Sequence, residues 1–141
     1  MQPFQHGQSI LFTERDCLVI ALQSPQSDQE LSELCSRVAR RLWEDRPVGA
    51  VLDLSGLDVA DSFTVKTLRD LCQVLRLYGI KTVLASIQPQ IAMCMAMRGL
   101  SIEDVAVAGD LREAFEYIGP ASRRRTQPRP HRVRPSRRNT V

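Results

Sequence analysis

Histidine is nearly missing from this 141-residue sequence: His6 and His131 are the only two, and both lie near the chain ends. Without an internal imidazole, neither a serine nucleophile with its usual general base nor a histidine-based metal site can be assembled in the folded part. The glycine-rich signatures are absent as well. No G-x-G-x-x-G, G-x-x-x-x-G-K-[ST] or G-x-S-x-G occurs, which removes the dinucleotide cradle, the P-loop and the nucleophile elbow. Cysteine is sparse, with Cys17, Cys35, Cys72 and Cys94 far apart and no C-x-x-C pair. They are expected to be reduced thiols in apolar runs rather than disulfides or zinc ligands. No apolar run approaches the roughly 20 residues of a membrane-spanning helix. The first residues, "MQPFQHGQ", are too polar and short for a signal peptide. These absences create the expectation of a cytoplasmic protein, off the membrane, that needs no cofactor and is not an enzyme.

What is present suffices for one domain with a core, since 43% of the residues are apolar. Charge is distributed unevenly. Residues 1–118 carry eleven basic and sixteen acidic side chains, a net of −5, whereas residues 119–141 carry eight arginines and no acid, a net of +8. With four prolines and almost no apolar residue, that last segment cannot bury enough surface to order itself. The expected organisation is a flexible N-terminus over residues 1–8, a folded domain over 9–118 and a disordered Arg/Pro-rich tail over 119–141. The tail reads as a solubilising extension, or alternatively as a salt-sensitive contact for nucleic acid or an acidic partner surface.

Short apolar strands alternate with helical patterns along the folded part. Ile10 to Thr13 and Cys17 to Leu22 read as a hairpin closed by "ERD". Ser27 and Glu30 form a capping box for a helix to about Asp45, with Leu31, Leu34, Cys35, Val38 and Leu42 as its buried stripe and Pro47 as its stop. "AVLDL" (Ala50 to Leu54) is apolar enough for a strand covered on both faces. A helix from about Ser62 to Tyr78 ends at Gly79, "KTVLASI" is a strand, and Pro89 opens a helix that Gly99 closes. "VAVA" and a helix capped by Asp110 and Glu113 complete the order β-β-α-β-α-β-α-β-α. This is an α/β layer structure with a mostly parallel mixed sheet, one antiparallel edge strand and about four helices.

Two acceptor-bearing positions follow the central strand. Asp53, at its end, resembles the phosphorylated aspartate of response-regulator receivers. That site also needs a lysine after the last strand, where this chain has "AGDL", so Asp53 is read as a loop-ordering carboxylate. In "LSGLDVADSFTVKTL", either Asp61 or Ser62 suits a helix cap. Ser62 equally suits a phosphoacceptor, because a helix N-terminus tolerates a phosphate. Two helices carry more apolar surface than a single sheet contact requires. The second spreads Val65, Leu68, Leu71, Cys72, Val74, Leu75, Leu77 and Tyr78 over more than half its circumference. The third, "IAMCMAM", is apolar all round and holds three of the four methionines, side chains common on adaptable binding surfaces. A binding module is favoured over an enzyme.

The stretches "CLVIALQ", "AVLDLSGLDVADSF", "LRLYGIKTVLASIQP" and "MRGLSIEDV" resemble the STAS domain of anti-sigma-factor antagonists. More narrowly they resemble stressosome scaffold proteins of the RsbS type, over about Ser9 to Ile118. The resemblance implies the STAS fold and a phosphorylation site at Ser62, with Asp58, Asp61, Phe63 and Lys66 as partner-contacting neighbours. It implies a serine-protein kinase of the histidine-kinase-like ATPase type as partner, held by the unphosphorylated form and released on phosphorylation. A phosphoserine phosphatase and larger STAS-domain paralogues are the other implied partners, in a homo- or hetero-oligomer. The alternative within the family is a free antagonist that binds an anti-sigma-factor kinase one-to-one. Three features depart from the pattern: Ser86 replaces a usual glycine, Cys94 replaces a frequent threonine, and the tail is extra.

Overall fold

Residues 9–23, 27–98 and 105–119 are described by the computed structural model. The expected flexible start, the glycine stop at Gly99 and the tail beyond Gly119 lie outside them. The hairpin forms as expected from β1 (Ile10–Glu14) and β2 (Cys17–Gln23). Its two connecting residues, Arg15 and Asp16, have φ of 54° and 63°, the doubly left-handed pattern of a type I′ turn whose twist matches the paired strands. The capping box of α1 (Asp28–Asp45) is complete: Ser27 Oγ accepts the Glu30 N–H at 3.1 Å, and Glu30 Oε1 accepts the Ser27 N–H at 2.8 Å.

β3 (Gly49–Gly56) leads into α2 (Ser62–Leu77). That helix closes in a Schellman motif, with Gly79 (φ 74°) donating to Arg76 O at 2.9 Å and Ile80 N–H to Leu75 O at 3.0 Å. β4 (Lys81–Ala85), α3 (Pro89–Met97), β5 (Ala106–Ala108) and α4 (Leu111–Ile118) complete the chain. Asp110 caps α4 by accepting the Glu113 N–H at 2.9 Å, and the Glu113 carboxylate turns back to the Gly109 N–H at 2.7 Å.

The strands lie in sequential order, β1-β2-β3-β4-β5, antiparallel only between β1 and β2. This order dictates the layers. Right-handed crossovers that always step to the same side place α1, α2 and α3 on one face. Strand alternation agrees: Leu18, Ile20, Leu22, Ala50, Leu52, Leu54 and Leu84 enter one core with Leu34, Leu68, Leu75 and Ile91 of those helices. Cys17, Val19, Val51, Val83 and Ala85 point the other way and pack under Ala114, Phe115 and Ile118 of α4. Both faces of the central strands are therefore covered, and their apolar residues run nearly without interruption.

The wide apolar face of α2 is mostly consumed by this packing. Val65, Leu68, Leu71, Cys72 and Leu75 are buried, because α2 contacts both the sheet and α1. Only Val74 and Leu77 remain exposed, near the helix C-terminus and roughly 18–22 Å along the axis from Ser62. The breadth of that stripe thus reflects helix–helix packing rather than a docking face beside Ser62. α3 differs: Ile91 and Met95 are buried, whereas Met93 and Met97 are 63% and 81% exposed.

Ser86 shows why glycine suits the end of β4. Its φ is +60°, a left-handed conformation that costs a residue with a Cβ roughly 1–2 kcal/mol. Its hydroxyl recovers little, reaching Gly109 O at 3.4 Å. Ser86→Gly is expected to raise the unfolding free energy by about 0.5–1 kcal/mol in urea, with the slope unchanged. A lower midpoint would contradict this account of the turn.

Candidate functional site

The site is built where β3 hands over to α2. Asp53 Oδ1 accepts the Ser55 N–H at 3.1 Å, so this carboxylate orders the strand exit, as expected. Leu57 donates its N–H to Leu54 O at 3.1 Å. Leu57 and Ala60 are buried while Asp58 and Val59 are exposed, so the loop is pinned at two points and presents the residues between them. A third anchor comes from the segment before α3: Gln88 Nε2 donates to Ser55 O at 2.9 Å, with Leu57 O at 3.5 Å. Gln90 Nε2 donates to Gln88 Oε1 at 2.9 Å and fixes the orientation of that amide.

Between the two candidate caps the structure chooses Asp61. Its backbone is extended, and its Oδ1 accepts the Thr64 N–H at 2.8 Å. Its carbonyl accepts the first helical bond, from the Val65 N–H at 3.0 Å. Ser62 is therefore the first residue inside the helix, exposed, with no capping duty. Its Oγ instead accepts a hydrogen bond from Arg98 Nη1, contributed by the residue that follows α3. The Asp61 carboxyl is held below its ordinary pKa, first by the Thr64 N–H and to a smaller extent by the positive charge of Arg98.

The other sequence-predicted neighbours occupy different settings. Asp58 is exposed on the loop, and Phe63 is half-buried against the core. Lys66 is exposed and pairs with Asp70 at 2.8 Å, one turn along the helix. Arg98 and Gln88 went unassigned in the sequence. Arg98 lies 36 residues from its partner serine, beyond the reach of any local pattern. It did carry one signal, being the only charged residue between Lys81 and Glu103.

All four cysteines are free, Cys17 and Cys72 buried and Cys35 and Cys94 half-buried; burial pushes the Cys72 thiol up to about 11. Among the described residues no group of His, Cys, Asp and Glu is arranged to hold a metal, and no helix is long and apolar enough to cross a membrane. The Ser62 hydroxyl touches a guanidinium and, among the described residues, no base. Such a hydroxyl is placed to accept a group from an enzyme that brings its own base. The helix N-terminus, where the Ser62 and Phe63 N–H groups have no intrahelical acceptor, favours an anionic group there.

Comparison with known proteins bears on the family and the fold. A family model described as the STAS domain matches residues 11–114. The uncharacterized protein YezB of Bacillus subtilis (strain 168) is 32% identical over 79 residues, which is 56% of this chain and 81% of YezB. The RsbT co-antagonist protein RsbRC of the same organism is 36% identical over 64 residues, 45% of this chain. That match spans 23% of RsbRC, about a quarter of its length. Among solved structures, a chain from the molecular architecture of the stressosome, described as a signal integration and transduction hub, superimposes with a TM-score of 0.71 at 25% identity. The match covers 77% of this chain and 95% of that one. Moorella thermoacetica RsbS with a serine-to-glutamate substitution gives a TM-score of 0.72 at 23% identity, over 82% of this chain and 97% of that one; it speaks for the fold.

The cap assignment has a pH signature. A carboxylate whose folded pKa is depressed stabilises the fold above its unfolded value, near pH 4, and loses that contribution as the pH falls through the folded value. Asp61→Ala is expected to cost about 1 kcal/mol at neutral pH, with Asp61→Asn milder because the amide oxygen still caps. In urea unfolding at several pH values, the gap between wild type and Asp61→Ala should narrow below about pH 4. A gap that stays constant with pH would contradict the cap.

Proposed function

The chain belongs to the STAS domain family, and from that premise we propose that it is a non-catalytic, phospho-switchable scaffold of a stressosome-like complex in the cytoplasm. The unphosphorylated form holds a serine-protein kinase of the histidine-kinase-like ATPase type together with larger STAS-domain paralogues. That kinase transfers the γ-phosphoryl group of ATP to Ser62 Oγ. The β–γ P–O bond breaks, a P–Oγ bond forms, ADP leaves, and a base of the kinase takes the hydroxyl proton. The added charge of about −2 at pH 7 then stands beside Asp58 and Asp61 and weakens docking there, freeing the kinase. A phosphoserine phosphatase resets the switch.

The observation that carries this reading is the exposed Ser62 hydroxyl at the first position of α2, relieved of capping by Asp61. Exposed apolar side chains flank the site along the chain: Val59 lies three residues before Ser62, and Met97 precedes Arg98, whose guanidinium contacts the Ser62 hydroxyl. They give a partner apolar area around a hydroxyl that can be charged. The likeness to a stressosome chain over nearly all of that chain supports an assembly role, as does identity to a co-antagonist whose length greatly exceeds the matched region.

Intact mass after incubation with the kinase and ATP tests the switch. Wild type should gain one phosphate and Ser62→Ala none. A wild type that stays unmodified, or an alanine variant that gains the same phosphate, would end the assignment. Size separates scaffold from free antagonist: co-elution with the larger paralogues in a large assembly is expected, and a monomer or dimer in their presence would favour one-to-one binding.

A further inference from the structure

The proposed phosphoacceptor contacts a cation that no local pattern supplied. Arg98 follows α3, is exposed, and donates from Nη1 to Ser62 Oγ. Among the described residues this is its only side-chain hydrogen bond, and no carboxylate lies within ion-pair distance of it. A guanidinium has five N–H donors in a planar fork that matches two oxygens of a phosphate. A neutral hydroxyl uses one of them. Arg98 thus holds unused donor capacity at the atom that would carry phosphorus.

The charges around the serine make that capacity matter. Asp61 is next in the chain and Asp58 lies on the preceding loop, so a phosphate on Ser62 meets carboxylates of its own sign. The first-turn N–H groups favour the anion only as partial charges, within one turn. Arg98 brings a full positive charge into direct contact, and Coulomb attraction is greatest at contact. Lys66, the nearest other cation on α2, is already paired with Asp70.

We propose that Arg98 is the positioning residue for a phosphate on Ser62. The single bond to the hydroxyl becomes a two-pronged, charge-assisted contact with phosphate oxygens, which fastens the end of α3 to the start of α2. Phosphorylation then acts on two elements at once. It places charge at the head of α2 and fixes the backbone next to Met97, the most exposed methionine of α3. The inference rests on the reading of Ser62 as phosphoacceptor, and its test is independent of any kinase.

Phosphoserine is installed at position 62 of the full chain during translation, in otherwise wild-type protein and in the Arg98→Gln and Arg98→Lys variants. The phosphate is then titrated by phosphorus NMR from about pH 4 to about pH 9, across its second ionisation near 6. In the otherwise wild-type protein that ionisation should fall at least about half a pH unit below its position in Arg98→Gln, because a contacting cation favours the dianion. Arg98→Lys should recover part of the shift, keeping the charge without the fork. Arg98 is exposed, so both variants should keep the fold. Coincident titrations for wild type and Arg98→Gln would overturn the proposal. A kinase that fails to modify Ser62 would sink the functional reading and leave this result standing.

Discussion

The carboxylate of Asp61 accepts the Thr64 N–H at 2.8 Å, and the chemistry of the neighbouring serine depends on that bond. A helix start needs an oxygen for its first-turn donors, and Asp and Ser serve about equally well. Because Asp61 takes the duty, the Ser62 hydroxyl faces solvent rather than its own backbone. Either residue could cap the helix start, and Asp61 is the one that does. Burial of Leu57 and Ala60 holds this junction from below, and Gln88 ties it to the next β–α connection.

The sheet supplies the frame for that junction. Sequential strand order sends three crossovers to one face, so the connections leaving β3 and β4 are neighbours at one end of the sheet. Gln88 can reach Ser55 across 33 residues of chain for this reason. α4, alone on the opposite face, closes the second core and leaves the other face to α1, α2 and α3. The junction rests on a buried core, while Val59 of the loop and Met93 and Met97 of α3 stay exposed.

Most of the fold was legible in the sequence because its signals are local. The hairpin, the Ser27–Glu30 box, the Gly79 stop and the Pro89 start each span a few residues, and each appears in the structure. The site was legible only in part. The adjacent pair Asp61-Ser62 satisfies the same capping rule twice, so spacing could not choose between them. Arg98 required tertiary structure, since its contact crosses 36 residues. The left-handed backbone at Ser86 was concealed by the absence of the glycine that usually announces it. The broad apolar stripe of α2 was misleading for a similar reason: helical periodicity measures how much surface is apolar, not which neighbour covers it. α1 covers much of it, and the exposed methionines lie on α3.

The central claim is that charge on Ser62 decides whether a kinase docks. Calorimetric titration of the kinase into unmodified protein and into protein bearing phosphoserine at position 62 tests it most directly. The account predicts binding to the unmodified form and an affinity about tenfold or more weaker for the phosphorylated one, as expected when like charges are brought together at an interface. Equal affinity for the two forms would contradict it.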